Sequence, residues 1–175
     1  MINRDILEKP VKFTYLSLGS NLGDKMANIE LAKHLLINNK ILIEDSSSYY
    51  ESPSWPDKNQ PKFLNIILKV KTNLSLVNLF KIIKNIEKKI GRKKTPRNYP
   101  RICDIDIIDF KGLYLKTKSG NNYIEIPHPR MNRRNFVIFP LYEVNKAWIH
   151  PKTNMNINSL INQLEKVDYS DIRIV

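Results

Sequence analysis

The 175-residue sequence predicts an α+β fold in which helices pack on an antiparallel-rich sheet. Two observations carry that prediction. Short apolar or alternating runs recur at 13–18, 41–50, 63–72 and 103–107, as strands require. Longer stretches at 25–37 and 74–90 separate them. The second repeats apolar side chains at Leu76, Leu79, Phe80, Ile83, Ile86 and Ile90, the period of a helix.

Taken in order, Phe13 to Leu18 is the first strand. Gly19-Ser20-Asn21-Leu22-Gly23-Asp24 follows as a turn, with Asp24 placed to cap the first helix. This run lacks the Lys-Ser/Thr ending of a phosphate-binding loop. A tight strand-to-helix turn is the simpler reading, and close approach of backbone to a ligand is the alternative. Residues 41–50 form the second strand. The loop 51–62 holds Pro53, Trp55, Pro56 and Pro61, and is long enough to be a lid or a plain connector. Residues 63–72 are the third strand, and the helix 74–90 is closed by Gly91. Beyond the strand 103–107 come a hairpin over 113–126 and a short helix over 137–144. A last helix spans 154–164, with Asn158 or Ser159 near its start. The order β-α-β-β-α-β is that of the ferredoxin-like arrangement, and residues 1–175 read as one domain.

The chain's chemistry concentrates between Gly91 and Asp106. Five cations, Arg92, Lys93, Lys94, Arg97 and Arg101, precede two aspartates, Asp104 and Asp106, separated by one apolar residue. Period two puts both carboxylates on one strand face. Like charges so placed repel by about 1–4 kcal/mol at ~4 Å. A hard divalent cation with oxygen ligands relieves that repulsion, and magnesium beside a basic loop is the make-up of a nucleoside triphosphate site. Salt bridges from a solvent-facing strand to the loop would relieve it too, because D-x-D alone is a weak motif.

The use of arginine favours phosphate. Of 29 basic residues only eight are Arg, and six of these fall in two clusters: Arg92, Arg97 and Arg101, then Arg130, Arg133 and Arg134. A guanidinium meets phosphate oxygens two at a time, whereas an ammonium is a point charge.

Composition excludes more than it assigns. Hydrophobic content of 42% with 26% charged residues is that of an ordinary globular chain. The lone Cys103 excludes an internal disulfide, reads as a core residue and makes a reducing, cytoplasmic setting the default. Charges within the first twelve residues argue against a signal peptide, and no run approaches the ~20 apolar residues of a membrane span. The net charge of +12 fits a nucleic-acid binder or the steering of a small polyanion.

Several longer motifs in order carry a resemblance. They are Ser17-Leu18-Gly19-Ser20-Asn21-Leu22-Gly23, Glu51-Ser52-Pro53 and Gln60-Pro61-Lys62-Phe63-Leu64-Asn65. Further on come Glu87 with Gly91-Arg92, Pro100-Arg101 with Asp104-Ile105-Asp106, Ile126-Pro127-His128-Pro129-Arg130, and Arg134-Asn135-Phe136-Val137. Over residues 15–144 the chain resembles the 6-hydroxymethyl-7,8-dihydropterin pyrophosphokinases, folate-pathway enzymes that transfer pyrophosphate from ATP.

The resemblance implies that Asp104 and Asp106 hold two Mg²⁺ ions, and that Arg92 and Arg101 bind phosphate and assist transfer. Glu87, Lys94, His128 and Arg134 match ATP-site positions. The pterin would lie between Phe63 and Phe136, with Gly19, Ser52, Pro53, Trp55 and Asn65 completing its slot. His128 is a candidate general base, though donation of a hydrogen bond to ATP is the stronger reading. The loops 51–62 and 92–101 are expected to close over the substrates as lids. Expected partners are ATP and the pterin, with no nucleic acid and no membrane, and the expected state is a monomer. Two departures stand out. Asn98-Tyr99 replaces the usual Trp-Gly in a loop one residue shorter, and Ser52 replaces a frequent Thr. A basic RNA-binding module with bases stacked on Phe63 or Trp55 is the competing class. Its RNP1 pattern is absent, and two aspartates would repel phosphates unless metal were present.

Overall fold

The computed structural model describes residues 12–54, 57–93, 96, 99–164 and 171–175. Strand β1 (Thr14–Ser20) is buried along its whole length and lies inside the sheet. It pairs antiparallel with β4 (Phe63–Lys71) on one side and β5 (Asp104–Phe110) on the other. β4 also pairs with β2 (Leu42–Ser46) and β3 (Tyr50–Ser52), and β3 with a final short strand, β8 (Arg173–Ile174). The sheet order is β5-β1-β4-β3-β8, with β2 beside β3 on β4. This is the expected antiparallel arrangement.

Alternation distributes the core to two faces. Leu16 and Leu18 of β1, Ile66 and Leu68 of β4, and Ile105 and Ile107 of β5 face helices α1 (Lys25–Asn38) and α2 (Leu76–Lys89). Tyr15, Ile67 and Ile108 face the other way, onto α3 (Asn135–Val144) and α4 (Ile157–Gln163). Asp24 caps α1 as expected, accepting the Ala27 amide at 3.0 Å. Gly91 closes α2 in the left-handed region at φ 104°, where a glycine carries no Cβ penalty. The hairpin pairs β6 (Leu115–Ser119) with β7 (Asn122–Ile126).

Three expectations need correction. β1 runs on through Gly19 and Ser20 instead of turning there, because both residues have partners on β4. The single strand expected at 41–50 is two. At the break the Ser47 amide still donates to the Ile67 carbonyl at 2.9 Å, but the Ser47 hydroxyl, not its carbonyl, accepts the Ile67 amide at 3.0 Å. A side chain thus replaces one rung of the ladder, and the strand ends. The last helix is capped by Asn156, whose side chain accepts the Ser159 amide at 2.8 Å, two to three residues before Asn158 and Ser159, the residues expected near its start within 154–164.

Candidate active site

Antiparallel pairing aligns the candidate residues in rows across one sheet face. Tyr50 on β3 pairs with Asn65 on β4, Asn65 with Gly19 on β1, and Gly19 with Asp104 on β5. Neighbouring strands lie ~4.8 Å apart, so Asn65 and Asp104 are roughly 10 Å from each other. Parallel rows pair Ser52 with Phe63 and Ser17 with Asp106. Of the pterin candidates, Ser52, Phe63, Asn65 and Gly19 therefore stand on β3, β4 and β1, and the carboxylates on β5.

The slot is closely built. A Cβ added to Gly19 would lie 3.2 Å from Asn65 Oδ1 and 3.5 Å from the Phe63 ring, so only glycine leaves that face of β1 open. Asn65, buried, is fixed by donating to the Ser52 hydroxyl at 3.0 Å and the Tyr50 carbonyl at 3.2 Å. Pro53 follows directly and is half-buried. Phe136 opens α3, with the Arg134 guanidinium 5.5 Å from its ring centroid. It connects to the carboxylates through Arg134.

On the other side β5 is the edge of the sheet, and edge strands leave amides and carbonyls without a ladder partner. Two candidate residues cover that edge. Glu87 Oε1, from α2, accepts the Ile105 amide at 2.8 Å. The His128 amide donates to the Ile108 carbonyl at 2.9 Å. Residues singled out for ATP thereby also hold the carboxylate strand in place.

Cations surround the carboxylates. Arg92 donates to Glu87 and to Asp104 Oδ1, the latter at 2.6 Å, while Arg101 donates to Asp104 Oδ2 at 2.7 Å. Arg134 reaches Asp106 Oδ2 at 3.1 Å, and Lys84 grips both oxygens of Glu87 at 2.9 Å. Burial works against ionisation of Asp104, but Arg92 and Arg101 outweigh it and hold its pKa below the usual range. Glu87 goes the other way: burial raises its pKa despite Lys84 and Arg92. Burial lowers the pKa of His128, with Arg134 and Arg130 adding to that and Asp106 opposing it. His128 Nδ1 accepts the Arg130 amide at 3.3 Å, which places the proton of the neutral ring on Nε2, 3.8 Å from Asp106 Oδ2. That geometry suits a donor better than a base.

The donor set fits magnesium. Mg²⁺ is held through one or two carboxylates together with substrate phosphates, not by a full protein cage. Among the described residues no group of three or more acidic, His or Cys side chains gathers as such a cage, whereas Asp104 and Asp106 project from one strand face. A cavity of about 220 Å³ opens beside them, lined by Phe80, Lys84, Asp106, Tyr123, Glu125 and His128 among others.

Two residues that sequence reasoning missed belong here. Buried Asn21 joins both halves of the site: its Oδ1 accepts the Arg101 amide at 2.7 Å, and its Nδ2 donates to Ser54 at 3.2 Å and to the Pro61 carbonyl at 3.1 Å. Its place inside the Gly-Ser-Asn-Leu-Gly run was the available signal. Lys84 lies three residues before Glu87 on α2, a spacing that brings side chains together on a helix. Trp55 and Lys94, with parts of both expected lids, lie outside the described residues.

Residues 15–146 match the family model described as 7,8-dihydro-6-hydroxymethylpterin-pyrophosphokinase (HPPK). The chain is 42% identical over 146 residues to the folic acid synthesis protein FOL1 of Dictyostelium discoideum, covering 83% of this chain and 22% of that protein. It is 41% identical over 137 residues to the 2-amino-4-hydroxy-6-hydroxymethyldihydropteridine pyrophosphokinase of Aquifex aeolicus, covering 78% of this chain and 82% of the relative. The fold superimposes on a Plasmodium falciparum HPPK-DHPS crystal structure with a TM-score of 0.73 at 16% identity, over 97% of this chain and 48% of the other. The chain thus spans about a fifth of the first relative and about half of the solved one.

Proposed function

The chain belongs to the 7,8-dihydro-6-hydroxymethylpterin-pyrophosphokinase family, and from that premise we propose that it transfers pyrophosphate from ATP to 6-hydroxymethyl-7,8-dihydropterin in folate synthesis. The pterin hydroxymethyl oxygen bonds to the β-phosphorus, the bond from that phosphorus to the α,β-bridging oxygen breaks, the hydroxyl proton leaves, and AMP departs. The observation that carries this reading is the row Asn65–Gly19–Asp104. It sets an amide-lined slot one strand away from a paired carboxylate and arginine cluster, within one sheet.

Positioning and charge supply most of the rate in phosphoryl transfer. Phe63, Asn65, Ser52, Pro53 and Gly19, with Phe136 and Trp55, would orient the pterin. Arg92, Arg101, Arg134, Lys94 and His128 would meet phosphate oxygens, with Glu87 holding Arg92 in place. Lys84 and three arginines meet three carboxylates in this cluster. A triphosphate brings more negative charge than that small surplus absorbs, so Asp104 and Asp106 would take two Mg²⁺ ions. Bound there, magnesium would supply positive charge against the phosphates. On this proposal the chain acts as a monomer on two small molecules in the cytoplasm, without nucleic acid. The test is formation of AMP by the purified chain. AMP should appear only when ATP, the dihydropterin and Mg²⁺ are all present, and ATP turnover independent of the pterin would reject the reading.

A further inference from the structure

Strand β3 carries Ser52 and pairs with Asn65 and Phe63, yet it is only three residues long. Three residues is the short end of the usual strand length, so the ladder to β4 offers β3 few hydrogen bonds. Its outer edge is taken by β8: Tyr50 pairs with Ile174 and Glu51 with Arg173, and the Val175 amide donates to the Tyr49 carbonyl at 3.0 Å. Side chains tie the same two segments together. Arg173 places Nε at 2.9 Å and Nη2 at 2.7 Å on Glu51 Oε1, the oxygen that Lys62 also reaches at 3.0 Å. Lys58 meets Asp171 at 2.7 Å. Residues 171–175 therefore grip β3 and the segment after it at three places. They lie beyond residues 15–146, the span that the family model matches.

We propose that β8 is a positioning clamp for the pterin side of the site, with Arg173 as its principal side chain. The inference rests on the pterin reading of Ser52, Phe63 and Asn65. Arg173 touches no substrate; it acts through Glu51 on the strand that orients Ser52 and, through the Tyr50 carbonyl, Asn65. β8 is hydrogen-bonded to β3 at one end of the sheet, while the phosphate-side carboxylates stand on β5 at the other. The clamp thus governs pterin affinity and leaves ATP affinity alone. Its ion pairs are exposed, so salt screens them and each contributes modestly.

Steady-state kinetics with each substrate varied in turn, alongside thermal melting, test this. Arg173→Ala should raise the KM for the dihydropterin about two- to fivefold, the scale of one exposed pair, with KM for ATP and Tm unchanged. Arg173→Lys should recover most of the loss, and 0.5 M salt should narrow the gap between wild type and Arg173→Ala. Deletion of residues 171–175 should act in the same direction and further; if that variant fails to fold, Arg173→Ala still decides. An unchanged pterin KM in Arg173→Ala would overturn the clamp while leaving the proposed activity standing. So would a parallel rise in both KM values with a lowered Tm, the mark of a merely structural strand. A wild-type chain that transfers nothing to the pterin would overturn the proposed activity, and the clamp with it.

Discussion

Gly19 faces Asn65 across β1 and β4 so closely that a methyl group on Gly19 would stand 3.2 Å from the Asn65 side-chain oxygen. The same methyl would touch the Phe63 ring at 3.5 Å. Asn65 is already committed to Ser52 and Tyr50, so it has little freedom to withdraw. Gly19→Ala is therefore expected to raise the KM for the pterin about tenfold or more, since small displacements of positioning groups are costly. ATP KM should stay within a factor of two. Isothermal titration with each substrate separately checks the split.

The carboxylates differ in what else depends on them. Asp104 is shared by two guanidiniums, Asp106 chiefly by one. Either change to Ala should lower turnover by roughly 10²–10³, the cost of one preorganised electrostatic group. Asp104→Ala leaves Arg92 and Arg101 facing each other without their common counter-ion, so its Tm should fall, whereas that of Asp106→Ala should not. Kinetics and calorimetry on the two variants read this out.

Arginine geometry is tested by Arg→Lys changes, which keep charge and lose the fork. Arg101→Lys should lower kcat by about 10²-fold if its guanidinium meets the transferring group. Arg92 is anchored between Glu87 and Asp104. Arg92→Lys should accordingly weaken ATP binding and cost about 1–2 kcal/mol of stability through the lost charged hydrogen bond. Wild-type kinetics in both would show that charge alone suffices.

Far from the phosphates, Glu143 sets an acid limit on stability. Burial opposes its ionisation, but hydrogen bonds from the Ser48 hydroxyl and amide and the Tyr50 hydroxyl outweigh that and lower its pKa. A carboxyl with a lowered folded pKa adds stability that is present above its unfolded value of about 4.3, and that stability is lost as pH falls through the folded one. Wild type should therefore melt above Glu143→Gln at pH 7, and the gap should narrow as pH falls below about 4.3. A gap that stays constant or widens on acidification would contradict this.

Much of this was legible in the chain. Period-two runs gave β1, β4 and β5, and the 3.6-residue repeat with Gly91 gave α2, because burial on one face dictates both patterns. Asp104 and Asp106 fall on one face as their spacing requires. The break at Ser47 was invisible because a hydroxyl substitutes for a backbone carbonyl in the ladder there. β8 was missed because two exposed residues carry no alternation, and their pairing depends on a strand more than a hundred residues earlier. Asn21 read as a turn residue, since only tertiary contact reveals that its side chain links Arg101 to Ser54 and Pro61.

The most direct test follows the β-phosphorus. With ATP labelled at the β-phosphate, Mg²⁺ and 6-hydroxymethyl-7,8-dihydropterin, the label should pass to the pterin as a diphosphate while the adenine product is AMP. Removal of Mg²⁺ with a chelator should stop the transfer. Label retained in ADP, or a pterin monophosphate formed from the γ-phosphate, would contradict pyrophosphate transfer at this site.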